Sequence, residues 1–263
     1  IVAIGWKSNA LRIWIVMVYD KEICSVKNNI KHIDELFVIN RKIIVIFLFI
    51  VLIRLWLVDT FQLMATDTPH DDYLFIKTAG HILNGEWLGP YNHLTLIKGP
   101  VYPLFIAFSY LLGMPLLFSE QIFYSIACFI AIYSLKPICN NKYIFIISFI
   151  FILFNPFLYN YPLPGRVLRE SFSISLILIV FSSILGAIGY IKYSSRVFFV
   201  WVLIFSFSLS SVWYTREEGI WLLPPIVIFI LLFVFNKTGK KIAFNKKVII
   251  FTVPFFVFLL FSF

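Results

Sequence analysis

Long apolar runs separated by short polar islands dominate the chain, and that alternation restricts it to folds a bilayer can host. The runs 43–58, 101–118, 122–135, 143–159, 171–191, 197–213, 220–235 and 248–263 carry almost no charge. Each approaches the roughly 20 residues an α-helix needs to cross a hydrocarbon core. Hydrophobic residues fill 61% of the chain and charged ones 13%, more apolar surface than a soluble domain of this length can hide. The expected fold is all-α: a polytopic transmembrane helix bundle with about seven or eight spans visible. The net charge of +9 would suggest nucleic acid in a soluble protein. Here the basic residues flank apolar runs, so the positive-inside rule accounts for them and no nucleic-acid partner is expected.

Residues 1–42 are mixed and polar with a positive excess, and read as a cytoplasmic N-terminal segment; 43–263 reads as the transmembrane domain. The chain starts at Ile1 and stops inside an apolar run, as expected of a fragment. Cys24, Cys128 and Cys139 share no metal-ligand spacing, and no obligatory disulfide is expected. There is no Gly-rich phosphate loop, which argues against an ATP-driven pump. Arg54, alone in the first run, is expected to snorkel to the headgroups. Ser119-Glu120-Gln121 reads as the turn of a tight hairpin between the second and third runs, and Asn155-Pro156 as a kink in the fourth.

Lys237, Lys240, Lys241, Lys246 and Lys247, with no acid between them, give the strongest cytoplasmic signal. Counting spans back from them places Tyr214–Gly219 and Asn160–Glu170 on the exoplasmic face, with the loop 59–100. One conflict arises. Two full spans between Lys98 and Lys136 would put Lys136–Lys142 outside, so either one of those runs fails to cross or two lysines are tolerated there.

The loop 59–100 holds the densest chemistry. Asp71-Asp72 opens a stretch in which Phe75, Ala79, Ile82 and Leu83 recur at helical spacing, predicting an amphipathic interfacial helix that stops at Asn84-Gly85. Trp87 and Tyr91 suit a membrane interface. An acid at a membrane mouth can take a proton from an acceptor hydroxyl or amine; a plain acidic helix cap is the alternative. Lys98, just before the next run, can donate to a phosphate oxygen, or simply snorkel. Arg166, Arg169 and Glu170 fall at i, i+3 and i+4, so on a helix they would form an anion clamp on one face. Arg216, Glu217 and Glu218 offer a second clamp. Both clusters also read as surface ion pairs, but charges kept at a membrane edge are more often functional. His70, His81 and His93 are irregularly spaced, and no metal site is expected from them.

The motif Asp-Asp-Tyr-Leu, an intervening helix, Leu-Asn-Gly-Glu-Trp-Leu, then Lys-Gly-Pro-Val-Tyr-Pro-Leu-Phe resembles the first exoplasmic loop of the GT-C membrane glycosyltransferases. The nearest branch is the protein mannosyltransferase-like group that includes the bacterial aminoarabinose transferases. The resemblance covers the first span to the fifth. Asp71 or Asp72 matches the family's catalytic acidic pair, whose second member is usually Glu. Lys98 matches the Lys of Lys-Pro-Pro, with Gly99 in place of the first Pro. Arg166–Glu170 is similar to a later Arg…Asp element, with Glu170 in place of Asp.

The resemblance implies an inverting transfer of a sugar from a polyprenyl-phosphate donor to a glycan, lipid or protein acceptor, on the exoplasmic face of a bacterial inner membrane. Asp71 or Asp72 would be the base; Lys98, Arg166 and Arg169 would hold the donor phosphate, oriented by Glu170, with Arg216, Glu217 and Glu218 adding to the site. No cofactor beyond the lipid-linked donor is implied, and a divalent cation is left open. The rivals are a secondary transporter or lipid flippase, and a non-catalytic membrane subunit.

Overall fold

A computed structural model of the chain describes residues 41–63, 71–90, 99–139, 141–159, 166–191, 195–228, 252–254 and 256–258. The chain divides into Ile1–Asn40 and Arg41–Phe263, and the first unit lies outside the described residues. Among the described residues every regular element is helical and there is no strand. The α-helices are α1 (Arg41–Val58), α2 (Asp71–Leu83), α3 (Val101–Leu111), α4 (Leu116–Ser134), α5 (Lys142–Leu153), α6 (Arg169–Tyr190) and α7 (Ser195–Trp213). Short 3-10 segments cover Pro156–Tyr159 and Glu217–Leu222. Helices α4, α6 and α7 are long and apolar enough to cross a membrane. Of the runs expected at 220–235 and 248–263, the described residues cover 220–228, helical from Leu223 on, and 252–254 and 256–258.

Helix α1 is built inside out relative to a soluble helix. Val45, Leu48, Phe49, Leu52 and Trp56 are exposed, while Arg54 is 0% exposed. Arg54 does not snorkel. Its Nε donates to Gln121 Oε1 on α4 at 2.8 Å, and its Nη1 donates to the carbonyl of Leu153 at the end of α5. The guanidinium also lies 5.0 Å from the centre of the Tyr124 ring. The cause is at Pro156. Proline cannot donate to the carbonyl of Ile152, four residues earlier, and the helix stops where a kink was expected. Tyr124 Oη donates to that Ile152 carbonyl at 2.6 Å, and Arg54 covers the next one. The Asn155 N–H reaches the Ile152 carbonyl at 3.3 Å, and side chains from neighbouring helices add a second donor there and supply one to the Leu153 carbonyl.

The second departure concerns 101–135. The turn lies at Leu112–Pro115, where Gly113 takes φ +66° and Pro115 precedes α4 in an extended conformation. Ser119, Glu120 and Gln121 are not a hairpin turn. They sit inside α4 and are all buried. Helix α3 has 11 residues, about 16 Å at 1.5 Å per residue, half of a hydrocarbon core of about 30 Å.

The remaining contacts fix two ends of the bundle. Helices α6 and α7 run antiparallel, with Tyr190 against Trp201 at 6.2 Å at one end and Arg169 bonded to Thr215 at the other. Helix α4 runs parallel to α6, with Phe123 against Phe172 at 5.1 Å and Tyr133 against Tyr190 at 6.3 Å. Tyr102, at the start of α3, bonds Glu120 near the start of α4. Helix α3 therefore begins beside the start of α4, and the length of α4 separates Tyr102 from Lys136. Lys136 is buried beside Tyr133 at the far end, and burial pulls its ammonium below the usual lysine range.

Serine content explains how tightly α6 and α7 pack. Ser173, Ser175, Ser182, Ser206 and Ser210 are buried and donate to the carbonyl four residues earlier in their own helix. Each hydroxyl is satisfied without a partner from another helix, and its small size lets backbones approach. Gly186 completes the seam, since a Cβ there would lie 2.3 Å from the Trp201 ring.

Candidate functional site

The polar islands meet at the end of the bundle that holds the start of α6 and the close of α7. Helix α2 supplies the acids. Its first turn carries Asp71 and Asp72, favourable at the positive end of a helix dipole. Asp72, Phe75 and Ala79 share the buried face at 0%, 1% and 2% exposure, while Asp71 points outward and is exposed. The rotation of one residue around the helix thus distinguishes two acids that the sequence leaves equivalent. The helix ends at Asn84-Gly85 as expected, with Gly85 at φ +79°. His81 is held by Glu86 at 2.5 Å. The Cβ-free Gly89 packs against the His81 ring, and Trp87, exposed, takes a left-handed φ of 52°.

Asp72 meets Arg166, 94 residues later in the chain. Arg166 Nε donates to Oδ2 at 3.0 Å and Nη2 donates to Oδ1 at 2.8 Å, a two-pronged pair. The carboxylate is fully buried and the arginine side chain keeps 29% exposure. This corrects the expected clamp on one helical face. Helix α6 starts only at Arg169, because Leu168 is extended (φ −117°, ψ 135°), so Arg166 lies before the helix. The three charges face three partners. Arg166 faces Asp72; Arg169, buried, donates Nη1 to the Thr215 carbonyl at 3.1 Å; Glu170 Oε1 stands 4.0 Å from Arg216 Nη2.

Arg216 in turn donates Nε to Glu218 Oε2 at 2.9 Å. Partial burial would raise the Glu218 carboxyl. The Arg216 hydrogen bond and charge, with the charge of Arg169, outweigh it and hold the carboxyl below its usual range. Among the described residues, no hydrogen-bond donor reaches the buried Glu170 Oε2. Lys98 and the side chain of Glu217 lie outside the described residues, as do His70 and His93. Among the described residues no group of three His, Cys, Asp or Glu is placed to hold a metal ion.

Backbone contact joins the two islands. A Cβ on Gly99 would lie 1.7 Å from the carbonyl oxygen of Tyr214. Glycine therefore stands at position 99 because the chain passes against another backbone there. The Val101 N–H points at that same carbonyl from 3.5 Å.

Two residues of the cluster escaped the sequence reading. Tyr102 is 0% exposed, and its hydroxyl donates to Glu120 Oε1 at 2.8 Å. It also stands in the electrostatic field of Glu170 and Asp72. The signal was present in Glu120, a lone acid in an otherwise apolar run, which in a membrane helix marks a partner or a function.

Asp72 with Arg166, and Glu170 with Arg216 and Glu218, thus form two charged groups at one end of the bundle, with buried Arg169 bonded to the Thr215 backbone next to Arg216; Arg166 and Arg216 are each about 30% exposed. Two partly exposed guanidiniums, each steadied by a carboxylate, present a positive face that an anion can approach. No protein-family model, no curated protein and no solved structure matches this chain, so the site's own geometry carries the functional reading.

Proposed function

We propose that this protein is a multi-pass inner-membrane glycosyltransferase of the GT-C type, with about seven or eight spans, transferring a sugar with inversion from a polyprenyl-phosphate donor to a glycan, lipid or protein acceptor on the exoplasmic face. The observation that carries the reading is the Asp72–Arg166 pair. It sets a buried carboxylate beside a half-exposed arginine at one end of an apolar bundle, where the head of a lipid-linked phosphate would arrive.

In this reading Asp72, not Asp71, is the base. Both of its oxygens are engaged by Arg166, so the donor phosphate must first draw Arg166 away. Arg166 and Arg216 then hold the phosphate with Lys98, while Glu170 and Glu218 orient Arg216 and Arg169 steadies the turn that carries it. The lipid tail lies along the apolar outer faces of the helices. Removing a general base lowers turnover about a hundredfold to ten-thousandfold. Asp72→Asn in the purified, reconstituted protein is therefore expected to lose transfer from polyprenyl-phosphate-linked sugar by that order. Asp71→Asn retains it. Full activity in Asp72→Asn overturns the assignment.

A transporter is the second reading, favoured by Glu120, an acid buried within a candidate membrane helix. Ion-dependent solute flux in proteoliposomes, abolished in Glu120→Gln, with no release of polyprenyl phosphate from the donor, would select it.

A further inference from the structure

We infer that Glu120, acting through the Tyr102 hydroxyl, is a positioning residue that sets the spacing between the helix bearing Asp72 and the helix bearing Arg169 and Glu170. The Tyr102 ring is a spacer between those helices. Its edge meets Phe75 at 5.0 Å and 87°, and Phe75 lies one turn from Asp72 on the same buried face. On its other side it meets Phe172 at 5.7 Å, one turn beyond Arg169 on α6. The Phe172 ring is itself stacked on Phe123 of α4 at 5.1 Å. A displacement of the Tyr102 ring therefore moves the helix bearing Asp72 relative to the helix that starts at Arg169 and Glu170.

Ring-on-ring contacts allow several offset and edge-on geometries, so alone they leave the depth of the Tyr102 ring less defined than a directional hydrogen bond does. The hydroxyl removes that freedom. Tyr102 Oη bonds Glu120 Oε1 at 2.8 Å, and Glu120 is 4% exposed on the rigid first turns of α4. An acid inside an apolar helix is costly to keep, and a helix that merely packed there would do as well with leucine. The arrangement is a tether whose length sets the depth of the ring. Tyr102 is fully buried, so it does not reach substrate; it acts through Asp72 and the start of α6.

The kinetic arm of the test rests on the glycosyltransferase reading; the distance arm does not. Nitroxide labels at Lys77 on α2 and Phe181 on α6, both exposed, report the spacing of the two helices in a background with the native cysteines replaced. Tyr102→Phe keeps the ring and cuts the tether. It is expected to broaden the distance distribution and to lower kcat about a hundredfold, the scale of an ångström-sized misplacement, with donor KM little changed. Glu120→Gln keeps an acceptor for the hydroxyl and is expected to hold the distribution narrow.

The double variant Tyr102→Phe/Glu120→Leu strands no buried polar group, so its thermal midpoint returns toward that of the parent while the distribution stays broad and kcat stays low. A double variant that recovers a narrow distribution, or a Tyr102→Phe variant whose distribution never broadens, overturns the inference. Absence of transfer in the parent protein would sink the glycosyltransferase reading and leave the distance arm to decide the positioning.

Discussion

Breaking the Asp72–Arg166 pair from either side is expected to have unequal consequences, because the two partners differ in access to water. Asp72 is 0% exposed and Arg166 keeps 29%. Removing one member of a fully buried pair costs about 3–5 kcal/mol, most of it the stranded charge. In Arg166→Gln the stranded group is the buried carboxylate, so the full range applies. In Asp72→Asn it is an arginine that already reaches solvent and can turn outward. The loss there falls toward the screened, exposed case, about 1–2 kcal/mol. Asp72→Asn/Arg166→Gln strands no charge and is expected to recover part of the loss, with a coupling of about 1–3 kcal/mol. For a chain of this size each kcal/mol moves the thermal midpoint by roughly 2–4 °C, so Arg166→Gln falls furthest.

A convenient assay is the reaction of a thiol dye with Cys128, which is buried in the cluster of Phe47, Tyr124, Ile132 and Phe149. It is read during heating in detergent, with Cys24 and Cys139 replaced by serine. Additive midpoints, or an Asp72→Asn variant less stable than Arg166→Gln, would refute the pairing and the burial argument together.

Three further outcomes are expected. Arg54→Leu strands the Gln121 side chain and the Leu153 carbonyl and lowers stability by about 3–5 kcal/mol; Arg54→Leu/Gln121→Leu regains part of it, and an unchanged midpoint in the single variant would refute the role given to Arg54. Single cysteines at Asp71 and Glu218, in a background without native cysteines, label from outside intact cells, whereas cysteines at exposed Ile138 and Tyr143 label only after permeabilisation; the reverse pattern, or one pattern for all four, would refute the two-ended topology. Arg216 holds the Glu218 carboxyl below 4.5, so the ion pair's contribution is present above that pH and lost as pH falls through the lowered value. The stability gap between the parent and Glu218→Gln should therefore be small and should close as pH falls through the lowered value, and a gap that widens in acid would reverse the sign.

Much of the bundle was legible because lipid-spanning helices announce themselves by composition. The runs 171–191 and 197–213 became Arg169–Tyr190 and Ser195–Trp213. The amphipathic spacing of Phe75 and Ala79 identified the buried face of α2. What the spacing could not show was which polar residues would be enclosed. Hydropathy treats Arg54, Glu120 and Gln121 as signals for an edge or a turn. In a bundle the same residues can sit inside a helix when a partner on another helix answers them. Whether Tyr102 answers Glu120, or Gln121 answers Arg54, depends on contacts 18 and 67 residues apart, beyond any local pattern. The site itself was half legible. Its members were recognisable as membrane-edge charges, but the assignment of Asp72 to Arg166, and the start of α6 at Arg169, needed the fold.

The close passage of Gly99 beneath Tyr214 has a consequence for how this protein can change. The frame that brings the two islands together is held there by main chain against main chain, and main-chain atoms are the same whatever residue bears them. Position 214 can therefore change its side chain, giving up the stacking of its ring on Phe258, without loss of this main-chain contact. Position 99 has no such latitude, since every alternative residue brings a Cβ into an oxygen atom. A saturation scan should read as a plateau at one position and a cliff at the other, although the two touch. The charged residues facing the site would then be free to be retuned for a new substrate without loss of the framework that aligns them.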